Sequence, residues 1–252
     1  MICGYSRSNT SVNTAFLDSH PEVMTTNELC ATYSDAIFNA RLQKCYRSKD
    51  RLNQSSFDNH KRFIRDRGDN LSLDYERFYD AVGKEGQLTF ERFLHLVRTF
   101  KSPEVVYVGE KLPAYFPKDP RCCHEIPKIK QRLHKIGGLP KVICCVRDGR
   151  DVMCSQISRW QTMPPKRRNK FKWPQPDIKA CLDSSSGWLP YMESWERCKK
   201  KMDSLEINYD RMAEDPAGEG EKIADFLGVD RSTMAKSTRT GSILPDIIGG
   251  KR

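Results

Sequence analysis

The sequence predicts a three-layer α/β domain in which helices flank a mainly parallel central sheet, and three observations carry that expectation. The first stretch, Met1 to Glu28, reads as a very short strand, a small-residue loop and the start of a helix. The run Val142 to Val146 is continuously apolar, as a strand covered on both faces of a parallel sheet has to be. Between them Ile126, Ile129, Leu133 and Ile136 recur at helical spacing and end at Gly137-Gly138. A helix delivered into a buried strand makes a β-α-β crossover, expected to be right-handed. At 252 residues the chain is long enough for one domain, 1–252, with a sizeable core, and no internal repeat divides it.

The opening strand covers Met1 to Cys3 and gives way to a turn-rich loop of Gly4, Ser6, Ser8 and Asn9. Val12, Ala15, Phe16 and Leu17 then mark a helix that His20-Pro21 closes. A strand, loop and helix start in this order build an anion cradle. Successive backbone N–H groups and the helix N-terminus face one spot, and Thr10 and Ser11 add hydroxyl donors. Arg7 supplies a cation suited to a bidentate grip on an oxyanion. The G-x-x-x-x-G-K-[ST] loop is absent. Taken alone, the stretch reads equally as an ordinary strand-to-helix turn with a Ser/Thr cap.

Thr25 to Phe100 reads as mostly helical and polar, with Arg47 to Asp69 as a charged surface loop. Within it Tyr75, Phe78 and Tyr79 mark one helix and Phe90, Phe93, Leu94 and Val97 another, with Gly83 and Gly86 between them. Val105 to Val108 is a short β-branched strand leading into the loop Gly109 to Phe116, which carries Lys111. After the Val142 strand, Arg147 falls at the carboxyl end, where open α/β sheets bind their ligands. Ser155 and Arg159 follow on one face of the next helix. One hydroxyl and two guanidiniums converging there suit a phosphate monoester.

Gln161 to Lys179 is Pro-rich and holds six Lys or Arg residues against one Asp, the pattern of a solvated loop or of a positive lip for an acidic acceptor. Ser186 to Met202 reads as a helix and Leu205 to Tyr209 as a strand.

A formal charge of +10 suits a polyanionic ligand or an acidic acceptor. Nucleic acid is the usual alternative, but no helix-turn-helix, zinc-finger spacing or RNP-type aromatic motif is present, and no nucleic-acid partner is expected. The ten cysteines form no paired C-x-x-C pattern, so no metal site is expected. No signal peptide or membrane-spanning run is visible.

The two ligand-facing stretches resemble those of sulfotransferases that use 3′-phosphoadenosine 5′-phosphosulfate (PAPS). Those enzymes commonly carry PRSGTT or PRSGTS, where this chain has Ser6 to Ser11, SRSNTS. Their second motif, VRD(P/G)RD followed by a Ser, is similar to VRDGRDVMCS at Val146 to Ser155. Ser6 stands where that family has Pro, and Asn9 where it has Gly. Within the family the nearest likeness is to the protein-tyrosine sulfotransferases. Arg7, Leu17-Asp18, His20-Pro21-Glu22-Val23 and Glu28 fall at the spacings of their first block.

The resemblance implies a P-loop-like fold and sulfuryl transfer from PAPS to an acceptor hydroxyl, without a metal. It implies that Arg7, Ser8, Asn9, Thr10 and Ser11 hold the 5′-phosphosulfate and that Arg147 and Ser155, with Arg159, hold the 3′-phosphate. It casts Lys111 beside Arg7 as an active-site cation and Glu28 as the general base. Tyr209 and Arg239 fall in segments that the family places near the nucleotide. The acceptor expected is the tyrosine of an acidic peptide. The alternatives are a carbohydrate or small-molecule acceptor, or an inactive relative that binds anions or nucleic acid. With so little chain before Gly4 and an end at Gly249-Gly250-Lys251-Arg252, truncation at one or both ends is expected. The compartment is then cytoplasmic as written, or the Golgi lumen if an N-terminal anchor has been lost. The oligomeric state is left open.

Overall fold

A computed structural model of the chain describes residues 2–5, 8, 10–18, 20–27, 77, 81, 84, 85, 88–100, 103–113, 131, 134, 141–171, 175–183 and 187–232. Its centre is a five-stranded sheet in which every neighbouring pair is parallel. The strands are β1 (Ile2–Gly4), β2 (Val23–Asn27), β3 (Tyr107–Pro113), β4 (Lys141–Val146) and β5 (Asp203–Asn208), in spatial order β2-β3-β1-β4-β5. The helices are α1 (Thr10–Asp18), α2 (Phe90–Phe100), α3 (Gly149–Thr162), α4 (Pro165–Phe171), α5 (Ile178–Asp183), α6 (Trp188–Lys199), α7 (Tyr209–Glu214) and α8 (Pro216–Leu227).

Side-chain alternation along the strands sorts the core into two faces. On one face Ile2, Ile143, Cys145 and Ile207 pack against Phe16 and Leu17 of α1 and against Ile223, Ala224 and Leu227 of α8. On the other Cys3, Val142, Cys144 and Val146 meet Val152 of α3 and Tyr191 and Trp195 of α6. Tyr5 closes this second layer edge-on against Tyr191, with ring centroids 5.8 Å apart. Burial on both faces explains the unbroken apolar run of β4. It also pushes the Cys144 thiol well above its usual range and that of Cys145 up to about 12, so both stay protonated as small apolar fillers.

Side chains at the far end of the sheet tie α8 down. Its last turn is closed by Gly228, whose left-handed backbone (φ 76°) lets its N–H reach the Ala224 carbonyl at 2.7 Å. Tyr107 Oη donates to the Leu227 carbonyl at 2.5 Å, and Lys141 Nζ to that of Phe226 at 2.6 Å. His20 is buried beside them. The Glu22 N–H donates to its Nδ1 at 3.2 Å, so the proton sits on Nε2 and points to the Asp230 carbonyl, 3.3 Å away. The His-Pro-Glu-Val segment is thus a staple between the end of α1 and the chain after α8.

Four expectations are corrected. Thr25 to Asn27 do not enter a helix; they end β2, because Val23, Thr25 and Thr26 are β-branched and suit a pleated surface. The strand expected at Val105 to Val108 starts at Tyr107 and runs on to Pro113, so Lys111 is a strand residue and not part of a loop. Gln161 to Lys179 is largely helical, since α3 reaches Thr162 and α4 and the start of α5 follow. Pro165 occupies the first position of α4, where its missing N–H costs nothing, and the Arg168 guanidinium lies 4.3 Å above the Trp160 ring. Tyr209 leaves the strand to open α7. Among the described residues no helix is long and apolar enough to cross a membrane. The surface loop expected at Arg47 to Asp69 lies outside the described residues.

Candidate functional site

The chain runs from central β1 outward to β2 and back to β3, then crosses to β4 and β5 on the other side. Such a reversal opens a crevice at the carboxyl ends of the central strands. Pairing of β1 with β4 sets Gly4 opposite Cys145, so the loop after β1 and the turn after β4 leave the sheet side by side. The two stretches with anion-binding character therefore share one edge.

On the β1 side the Ser8 N–H donates to the Tyr5 carbonyl at 3.0 Å, closing the turn that leads into α1. Thr10 is the first residue of α1, and its side chain is buried with those of Ser8, Asn13 and Thr14. A nine-residue helix beginning here directs unpaired N–H groups at the loop. The approach is close: a Cβ on Gly4 would stand 2.6 Å from the Cys145 carbonyl oxygen and 2.8 Å from Thr10 Cγ2. Asn13 Nδ2 donates to Cys145 Sγ at 3.0 Å, tying α1 to β4. Ser8 Oγ and Asn13 Oδ1 are buried without a hydrogen-bond partner among the described residues. Buried polar atoms normally have partners, so a polar ligand in this cradle fits them. Of Ser11 the helical backbone is described; Arg7 and Asn9 lie outside the described residues.

On the β4 side Arg147 and Asp148 form the turn into α3. Asp148 caps that helix by accepting from the Arg150 N–H at 2.8 Å and pairs with the Arg150 guanidinium at 2.6 Å. These contacts hold its carboxyl down at about 2. The Arg147 guanidinium lies over the Tyr209 ring, 4.1 Å from its centroid, so two residues 62 positions apart in sequence (209 − 147) meet in one place. Asn208 puts Tyr209 there, since its side chain caps α7 by accepting from the N–H groups of Asp210 (2.8 Å) and Arg211 (3.2 Å). Ser155 is half-buried and Arg159 exposed, one turn apart on α3.

Lys111 is buried on β3, in register with Ile2 on one side and Asn27 on the other. It is in parallel register with Ile2, whose side chain packs against α1, so it lies on the α1 side of the sheet. Asn27 is the last residue of β2 and immediately precedes Glu28. Glu28 and Arg239 lie outside the described residues. Ser8, Thr10, Arg147 and Tyr209 are therefore gathered at one sheet edge, with Lys111 on the next strand.

Two contributors escaped the sequence reading. Asn13 is a polar residue on a buried helix face, a pattern legible in the sequence. Trp188 lies in the helix expected at Ser186 to Met202, and nothing in that pattern shows that its Nε1 donates to the Arg147 carbonyl at 3.0 Å. Among the described residues no group of three His, Cys, Asp or Glu side chains is placed to hold a metal.

Residues 1–233 match the model of the Sulfotransferase family. Among solved structures, the chain is similar to the sulfotransferase domain of an olefin synthase from Synechococcus PCC 7002. The TM-score is 0.59 at 19% identity, covering 99% of this chain and 82% of that one. It is also similar to the sulfotransferase domain from the curacin biosynthetic pathway, with a TM-score of 0.56 at 12% identity, covering 97% and 78%. Sulfotransferase STF9 from Mycobacterium avium aligns with a TM-score of 0.50 at 15% identity, covering 100% and 69%. At such identities the likeness is one of fold, and it bears out the α/β, P-loop-like architecture. No curated protein matches the chain.

Proposed function

Because the chain belongs to the sulfotransferase family, we propose that it moves a sulfuryl group from PAPS to an acceptor hydroxyl, and that the acceptor is a tyrosine in an acidic peptide. The observation that carries the donor assignment is the pairing of β1 with β4, which sets two anion-binding ends next to each other. One end is the helix start at Thr10 with buried Ser8, and the other is Arg147 seated on Tyr209. A nucleotide with phosphate groups at its 5′ and 3′ positions needs two such sites.

In this reading the N-terminal N–H groups of α1, Ser8, Thr10, Ser11, Asn9 and Arg7 hold the 5′-phosphosulfate, while Arg147 and Ser155, with Arg159, hold the 3′-phosphate. Tyr209 fixes the plane of the Arg147 guanidinium and so prepares a bidentate grip. Arg239 adds a further cation near the nucleotide. PAPS supplies the sulfuryl group; the protein supplies position and charge.

Glu28 takes the proton of the acceptor hydroxyl as its oxygen bonds to sulfur. The bond between sulfur and the phosphate oxygen breaks, and Lys111 and Arg7 offset the charge left on that phosphate. The placement of Asn27 beside Lys111 supports this division of roles, because Glu28 is the next residue in the chain.

The acceptor assignment rests on charge. Helix α4 reads PKRRNKF, carries no acid, and follows directly on the α3 helix of the nucleotide site. Lys166 on it is exposed. An acidic peptide is the partner such a helix attracts. Offering the protein PAPS with acidic tyrosine peptides, sulfated glycans and small phenols tests this. Transfer to the peptides supports it; transfer to a sugar or phenol with none to the peptides rejects it.

A further inference from the structure

We infer that Trp188 is a positioning residue for Arg147, holding the 3′-phosphate site in shape from a helix that does not itself belong to that site. The inference rests on the assignment of Arg147 to the 3′-phosphate proposed above. Trp188 opens α6, directly after the buried Gly187, at the end of the stretch that also contains basic helix α4. Its Nε1 donates to the Arg147 carbonyl at 3.0 Å. Its ring lies flat enough against Gly149 that a Cβ there would stand 2.8 Å from Cδ2 and 2.9 Å from Cε3. The same Cβ would be 3.2 Å from Leu182 Cδ2, so α5 closes the third side of the pocket around Gly149.

These contacts fix both ends of the turn 147–149. The indole holds the backbone at Arg147 and occupies the space beside Gly149, while Tyr209 holds the guanidinium from another element, 4.1 Å below it. A guanidinium that must meet a phosphate on two parallel N–H bonds loses much of its advantage when its backbone shifts by a fraction of an ångström. The Trp188 N–H is therefore a device for precision. A phenyl ring fills part of the same space but cannot hold the carbonyl. Gly149 has a matching reason to lack a side chain, since any Cβ displaces the indole from its bond.

The test is calorimetric titration of the full chain with 3′-phosphoadenosine 5′-phosphate and with adenosine 5′-phosphate, which lacks the 3′-phosphate. Trp188→Phe keeps an aromatic ring and removes the N–H. It should bind the bisphosphate roughly 3- to 10-fold more weakly, the worth of one lost hydrogen bond, and the monophosphate within about 2-fold of the parent. Gly149→Ala, which leaves the indole intact and pushes it aside, should show the same selective loss and covers the case in which Trp188→Phe folds poorly. Equal weakening for both nucleotides, or none for either, overturns the inference and leaves Trp188 as core packing. If the parent protein itself binds both nucleotides equally, the 3′-phosphate assignment is what falls, and the role of Trp188 falls with it.

Discussion

Replacing Gly4 by Ala probes the joint on which the site depends, where β1 passes β4 before entering the loop. The added Cβ would lie 2.6 Å from the Cys145 carbonyl oxygen, 2.8 Å from Thr10 Cγ2 and 3.1 Å from Cys145 Cβ. The nearest atom is backbone in a paired strand and cannot rotate away. Overpacking of this kind costs about 1–3 kcal/mol. The backbone at Gly4, with φ at 155°, adds about 1–3 kcal/mol for a residue with a side chain. The sum, about 2–6 kcal/mol, is a large part of the roughly 5–15 kcal/mol that holds a domain together. Urea unfolding should show the midpoint fall with little change in slope, and the fraction that stays folded should bind 3′-phosphoadenosine 5′-phosphate weakly. Gly228→Ala is the control, because φ there is 76° but nothing lies within 4 Å of a Cβ. It should lose only the backbone part, about 1–2 kcal/mol. A Gly4→Ala loss no larger than that of Gly228→Ala would refute the close approach of β1, β4 and α1.

Arg147→Ala should weaken binding of the bisphosphate nucleotide by about 1.5–3 kcal/mol, the range for a hydrogen bond to a charged group, and that of a nucleotide without the 3′-phosphate far less, as read by calorimetry. Glu28→Gln should lower turnover roughly 10²–10⁴-fold while nucleotide binding is kept; near-normal turnover in that variant would remove Glu28 from the role of base. Asn208→Ala removes the cap that opens α7 and should cost about 1 kcal/mol in chemical denaturation. Because that cap also seats Tyr209, the same variant should weaken bisphosphate binding severalfold.

The parts of the fold legible in the sequence are those written in local pattern. β4 declares itself by a run of apolar residues that two covered faces require. The loop-to-helix entry at Thr10 is likewise local. What the sequence hides is set by partners far away. α4 reads as a solvated loop because its cations look unsupported, yet the Arg168 guanidinium rests on the Trp160 ring. β3 is longer than its β-branched residues suggest because β1 and β2 pair with it as far as Pro113 and Lys111. At the site, the anion-binding chemistry of Arg147 can be read from its place after an apolar strand. Its support cannot, since Tyr209 and Trp188 reach it from separate helices.

Release of 3′-phosphoadenosine 5′-phosphate from PAPS, measured with and without an acceptor and matched to label transferred from the sulfuryl group, tests the central claim most directly. The account requires release that depends on the acceptor, equals the label gained by its hydroxyl, and collapses in Glu28→Gln. Tight binding of the nucleotide with no transfer to any hydroxyl acceptor would contradict it, and would make the chain an anion-binding relative in place of an enzyme.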